Sequence, residues 1–233
     1  MRPRLPFGRR RTDPEHYAAG PLRELAENPP PGATTAVSQV DFLAVDIETT
    51  GLDHRTDHLL SVGWVPVVGK RVVLAQACEA RVRPPADVDV ASSATFHHLT
   101  DDLLSEAAPL SDVLPRVLSA LHGRVLVAHH AAIEVEFLAR ATQATYAGRP
   151  PLTAVDTMRL QHRLQVDEHG EVNGSLRLDA ARAVFGLPRY AAHHALTDAI
   201  AAGELFLAQM AELERRLGRE ALLRDLSPKR SDQ

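Results

Sequence analysis

Residues 42–48, Phe-Leu-Ala-Val-Asp-Ile-Glu, form a short apolar run that carries two carboxylates and ends in Thr49-Thr50-Gly51. An apolar run that stops at turn residues reads as a buried strand, and this is the first core strand of the chain. Asp46 and Glu48 are two residues apart, so both side chains leave the same face near the strand's end. Two carboxylates side by side repel, and in an apolar sheet they need protons or cations to offset them. A hard divalent ion with oxygen ligands is the common offset. An isolated Asp-x-Glu also describes ordinary surface charge, so the pair needs company before it means chemistry.

The pattern downstream sets the rest of the architecture. Residues 58–68 and 71–82 are rich in Val and Leu on either side of Gly69-Lys70, which predicts a hairpin and hence three antiparallel strands. Residues 111–121 space Val113, Leu114, Val117, Leu118 and Leu121 at helical period and stop before Gly123. A further short strand over 124–129 leads into a helix over about 131–144. Residues 153–163 read as a brief strand turning into a helix, and 175–185 are helical with Gly186 behind them. Leu196, Ala199, Ile200, Gly203, Phe206, Leu207, Met210, Leu213 and Leu217 then hold one stripe at a 3.6-residue period. The order β-β-β-α-β-α-β-α-α predicts an α/β fold: a mixed five-stranded sheet flanked by helices.

At 233 residues the chain is long enough for one globular domain and some extra chain. With 45% apolar and 24% charged residues, it can bury a core without staples, and disorder throughout is excluded. Apolar stretches end well short of the ~18 residues that span a bilayer, and the N-terminus has no apolar signal segment, so no membrane contact and a cytoplasmic location are expected. Cys78, the one cysteine, makes no internal disulfide and reads as a small apolar residue in a strand. Residues 1–40 carry six Arg against four acids and include Arg9-Arg10-Arg11, a short helix near 21–27 and Pro29-Pro30-Pro31-Gly32. They read as a basic, flexible N-terminal extension, with contact to phosphates or a partner as the functional alternative. Residues 41–217 form the domain, and the charged tail 218–233 is expected to fray. The body is acidic, and its arginines are scattered. Bound divalent cations nevertheless keep nucleic acid open as a substrate.

Two more segments carry polar residues at strand-to-helix junctions. His129-His130-Ala131-Ala132-Ile133-Glu134 places Glu134 in a first helical turn, and His193-His194-Ala195-Leu196-Thr197-Asp198 does the same for Asp198. A carboxylate in a first turn is favoured by the helix dipole alone, and a single histidine is more often structural than catalytic.

Together, Asp46-Ile47-Glu48-Thr49-Thr50-Gly51-Leu52, His129 through Glu134, and His193-x-Ala195-x-x-Asp198-Ala199 resemble the three motifs of the DEDDh 3′ to 5′ exonuclease superfamily, which includes the proofreading epsilon subunit of bacterial DNA polymerase III and ribonuclease T. The likeness runs from about Phe42 to Leu207, with secondary matches at Phe96-His97-His98-Leu99-Thr100 and Val155-Asp156-Thr157. The resemblance implies a ribonuclease H-like fold and release of nucleoside monophosphates from single-stranded DNA or RNA 3′ ends with two metal ions, Mg²⁺ or Mn²⁺. In that reading Asp46, Glu48 and Asp198 hold the ions, Asp46 bridges them, Glu134 supports the second, and His193 takes the proton from the attacking water. Thr49, Thr50 and Gly51 hold the terminal nucleotide, Leu52 wedges against its base, and His97 and His129 complete the substrate-binding set. A polymerase or another protein stands as a partner.

The sequence departs from the superfamily pattern in the second motif. His130 and Ile133-Glu134 stand where the pattern has Asn and Phe-Asp. Glu keeps the charge on an arm one methylene longer, and a displacement of about 1 Å can cost on the order of 10²-fold in rate. The alternative reading is therefore a catalytically weakened nucleotide or nucleic-acid binding module on the same fold. A histidine-rich zinc centre built from residues 97–98, 129–130 and 193–194 is the third.

Overall fold

A computed structural model describes residues 13–86, 88, 101–166, 174–191 and 193–226. The strands are β1 (Phe42–Thr49), β2 (Leu59–Val68), β3 (Arg71–Val72), β4 (Cys78–Arg81), β5 (Val125–Ala128) and β6 (Ala154–Asp156). The helices are α1 (Pro21–Glu27), α2 (Asp101–Ser105), α3 (Leu110–Ala120), α4 (Ala132–Tyr146), α5 (Thr157–Gln165), α6 (Leu178–Val184) and α7 (Ala195–Leu217). The sheet order is β3-β2-β1-β5-β6, with β4 also paired to β2. β2 runs antiparallel to β1, whereas β5 and β6 run parallel.

The central strand explains why both faces are covered. Leu43, Val45 and Ile47 point into one apolar cluster with Leu25, Leu118, Phe137 and Leu138, contributed by α1, α3 and α4. Phe42 and Ala44 point the other way, against Leu160 of α5 and Phe206, Met210 and Leu213 of α7. The Phe42 and Phe206 rings meet with centroids 4.7 Å apart. A Cβ on Gly203 would lie 3.3 Å from the Ala44 Cβ, so a glycine on the stripe lets α7 sit low on the sheet. The helix then ends at Gly218, whose φ of +64° suits the left-handed cap.

The second hairpin strand expected over 71–82 divides in two. β3 pairs Val72 with Val67, a 3₁₀ turn over Leu74–Gln76 loops out, and β4 resumes with Cys78 opposite Trp64. The break lies beside Pro66, whose carbonyl accepts from the Val73 N–H but whose ring has no N–H to return. Proline removes one rung of the ladder, and the facing strand leaves it there.

The described part of the N-terminal segment does not behave as a free arm. Leu22, Leu25 and Ala26 share one face of α1 at i, i+3 and i+4 spacing and are buried, and the Gly123 N–H donates to the Asn28 carbonyl. Val37 and Val40 pack beneath β1 beside Leu223 and Leu226. The Val37 N–H donates to Ala221, and the Leu223 N–H to Thr35. Residues on both sides of the expected boundaries at 40 and 218 thus close the base of the domain, because their apolar side chains are spaced to reach one core. The arginine run at 9–11 lies outside the described residues.

Candidate active site

The end of β1 brings the first two carboxylates forward. Asp46 sits opposite Gly63 and Glu48 opposite Ser61 on β2, and the register shifts just after Glu48, where the strand leaves the sheet. The third comes from α7. Its first turn carries Asp198, whose Oδ2 accepts the His193 N–H at 2.8 Å, while the Asp198 N–H donates to the His194 carbonyl. His193 itself has φ +67°, a left-handed conformation that turns the chain abruptly into the helix. One oxygen from each of Asp46, Glu48 and Asp198 lies within 4.8 Å of the others.

That convergence is electrostatically costly without a cation. Burial raises the Asp46 carboxyl well above its usual range, and the charges of Glu134, Asp198 and Glu48 add to it. Burial, then Asp198 and Glu79, push Glu48 up to about 8. Asp198 is raised by burial as well, although the His193 and His194 N–H groups and imidazoles oppose the shift. Glu134, in the first turn of α4, is raised to about 8 by burial and by the charge of Asp156. Its Oε2 has no hydrogen-bond partner. A set of oxygen donors that repel one another, one of them unsatisfied, fits a hard divalent cation. Among the described residues, Asp46, Glu48 and Asp198 are the one group of three or more His, Cys, Asp or Glu suited to an ion, and Glu134 is not part of it. It contains no histidine, which gives the zinc reading no support there.

The loop after β1 is built to hold its shape. The Thr50 hydroxyl accepts the His58 N–H and donates to Asp57 Oδ1, and Asp57 Oδ2 accepts the Asp53 N–H. A Cβ on Gly51 would strike Asp57 Oδ2 at 2.6 Å, so this clamp requires glycine there. Thr49 donates to the Gly51 carbonyl at 2.6 Å. Leu52 stands at the tip, 78% exposed, the most exposed of the large apolar side chains among the described residues.

His129 sits just after β5, beside the start of α5. Its Nε2 is 2.8 Å from the Leu176 carbonyl and its Nδ1 2.9 Å from the Thr157 hydroxyl. A carbonyl only accepts, so Nε2 carries the proton, while the Thr157 hydroxyl beside Nδ1 also lies 3.3 Å from the Ala128 carbonyl. Burial lowers the ring's pKa and keeps it in this neutral form. Both nitrogens are therefore occupied within the protein. His97 lies outside the described residues.

Three contributors lie outside the site residues expected from the sequence. Glu79 accepts from the Ser61 hydroxyl at 2.9 Å and lies 3.5 Å from the His194 ring. Asp156 caps α5 and binds the His130 N–H. Gly63 faces the start of α7. Asp156 falls in the Val155-Asp156-Thr157 match, and Gly63 carries a signal of its own, since a glycine inside an apolar strand marks a close backbone approach.

Comparison with known proteins gives a consistent picture. The RNase_T family model, described as Exonuclease, matches residues 43–206. The chain is 32% identical over 177 residues to the DNA polymerase III epsilon subunit of Treponema pallidum, covering 74% of this chain and 77% of that protein. It is 30% identical over 185 residues to the PolC-type DNA polymerase III of Caldanaerobacter subterraneus subsp. tengcongensis, covering 78% of this chain but only 12% of the much longer polymerase. In fold it resembles E. coli Exonuclease I in complex with a dT13 oligonucleotide, with a TM-score of 0.65 at 15% identity over 77% of this chain and 43% of that one. It also resembles Exonuclease X in complex with 5′ overhanging duplex DNA, with a TM-score of 0.58 at 21% identity over 73% and 91%.

Proposed function

The chain belongs to the RNase T-type exonuclease family, and from that premise we propose that it removes nucleotides one at a time from the 3′ end of single-stranded nucleic acid, using two divalent cations, Mg²⁺ or Mn²⁺. The observation that carries this reading is the meeting of Asp46, Glu48 and Asp198 within 4.8 Å at the junction of β1 and α7. Divalent cations at such a site stabilise charge on the attacking and leaving oxygens of a phosphodiester and acidify the attacking water. Asp46, Glu48 and Asp198 would hold them, and Glu134 would support the second.

The protein's own groups supply the remainder. His193 lies beside Asp198, its N–H fixed by the Asp198 carboxylate, and its ring nitrogen takes the proton from the water as the P–O bond forms. The clamped loop from Thr49 to Gly51 receives the terminal nucleotide, and the exposed Leu52 packs against its base. A binding module with weakened chemistry is the second reading, favoured by Glu134 in place of Asp in the second motif. With relatives named DNA polymerase III epsilon subunit and PolC-type DNA polymerase III, the proposal takes replication or repair as the setting, a polymerase as a partner and the cytoplasm as the compartment. No helix among the described residues is long and apolar enough to cross a membrane.

The test is a time course with 3′-labelled and 5′-labelled single-stranded DNA and RNA, in Mg²⁺, Mn²⁺ or EDTA, beside the Asp46→Ala variant. Stepwise shortening from the 3′ end that needs metal and Asp46 is expected, and the two strands compared side by side give the sugar preference. Retained nucleotide binding without shortening of either strand would replace this reading with the binding module.

A further inference from the structure

Asp156 ends β6 and caps α5, yet its contacts exceed what a cap requires. Its Oδ1 accepts the Met158 N–H at 3.0 Å, the Arg159 N–H at 3.3 Å and, from another element, the His130 N–H at 3.1 Å. His130 has φ +77°, so this bond holds the sharp turn that launches α4 and sets the direction of Glu134. The other oxygen, Oδ2, is buried and makes no hydrogen bond. Arg159 Nε lies 3.7 Å from it, beyond hydrogen-bond reach, on a side chain that is 39% exposed.

A helix cap needs one acceptor oxygen, and uncharged Asn or Ser supplies it about as well as Asp. A second oxygen, buried and unsatisfied, adds a desolvation cost that the cap does not explain. Glu134 has the same feature: it is 3% exposed, and its Oε2 is also without a partner. The two groups interact. Asp156's charge acts on Glu134, and Glu134's on Asp46. Glu134 thus lies electrostatically between Asp156 and Asp46, one of the three clustered carboxylates.

We propose that Asp156 is a positioning residue of the cation site, an outer carboxylate that fixes the His130 turn and, through Glu134, strengthens the attraction of the site for a divalent cation. The inference rests on the reading of the site as cation-dependent. It assigns to this residue a charge requirement that capping alone does not have.

The experiment is calorimetric titration of the full-length protein with Mn²⁺ in the absence of nucleic acid, with thermal unfolding in EDTA as the second readout. Asp156→Asn keeps the capping oxygen and removes the charge. Its unfolding midpoint in EDTA is expected to equal or exceed that of the wild type, while its dissociation constant for Mn²⁺ rises about tenfold, as is common when groups behind a metal's ligands are altered. Asp156→Ser, a second uncharged cap, should show the same loss and keeps the test open if the Asn variant folds poorly. In a Glu134→Gln background the Asn substitution should cost less than about twofold, because the coupling runs through Glu134. Wild-type Mn²⁺ affinity in both uncharged variants would overturn the inference and leave Asp156 a helix cap. A wild-type protein that binds no Mn²⁺ would overturn it together with the two-cation reading, so the two failures are distinguishable.

Discussion

Gly63 and Ala195 stand so close that a Cβ on Gly63 would fall 2.3 Å from the Ala195 carbonyl carbon and from the Leu196 nitrogen. Gly63 is also the residue paired with Asp46 across β1 and β2. One missing side chain therefore sets how closely the first turn of α7, with Asp198, approaches the strand that carries Asp46 and Glu48.

Gly63→Ala should then act on the site and the fold together. The backbone of α7 cannot yield as a side-chain tip would, so the helix start must move by roughly 1 Å. A displacement of that size costs on the order of 10²-fold in rate. Overpacking of this kind also destabilises by about 1–3 kcal/mol. Nuclease rate, Mn²⁺ affinity and unfolding midpoint measured on one preparation check this. A variant with near wild-type rate would show that the helix start tolerates the shift.

The acidic group makes a signed prediction for pH. Glu48 and Glu134, at about 8 in the folded protein against 4.5 as unperturbed groups, bind more protons folded than unfolded throughout that interval. Their contribution to stability is therefore greatest near the lower limit and falls as pH rises through it. In EDTA the unfolding midpoint should drop between pH 5.5 and 8. A net loss of about 2 kcal/mol would lower it by roughly 4–8 °C for a chain of this size. Mg²⁺ or Mn²⁺ should flatten the slope, since a bound cation replaces the protons. A midpoint that is flat or rising in EDTA over this window would contradict the electrostatic account.

Much of this arrangement is legible in the sequence because it rests on local pattern. The end of β1, the stripe of α7 and the first-turn positions of Glu134 and Asp198 follow from periodicity and capping. What the pattern cannot carry is contact between distant segments. Pro66 breaks a neighbouring strand rather than its own, Val37 and Leu223 meet from opposite ends of the chain, and the second role of Asp156 depends on where His130 arrives. The motif that includes His129 gives its position but not its duty, because both partners of the ring lie well over twenty residues away in sequence.

That placement of His129 yields a third prediction. Replacing it with leucine takes the ring partner from the Leu176 carbonyl, while the Thr157 hydroxyl keeps the Ala128 carbonyl at 3.3 Å, and a buried polar group left unpaired costs about 1–3 kcal/mol. His129→Leu should lower the unfolding midpoint while leaving KM for a short oligonucleotide close to wild type. A large rise in KM at unchanged stability would instead put the ring in contact with substrate.

Glu134 decides between the two readings of the site. If the chain is an exonuclease built around the longer side chain, Glu134→Asp withdraws the carboxylate by one methylene, and the rate should fall by about tenfold or more. The structure gives this direction a basis. Glu134 is fully packed in the first turn of α4, its unpartnered Oε2 remains buried, and it is electrostatically linked to Asp46 on one side and Asp156 on the other. A shortened arm loosens those links without filling the space it leaves. If instead the protein is a weakened relative whose second motif has drifted, the same substitution should raise the rate. Single-turnover rates with a 3′-labelled oligonucleotide at saturating Mn²⁺ separate the cases, because saturation removes any difference in cation affinity. A tenfold gain would favour the binding module, and a loss would identify Glu134 as the residue the site is built on.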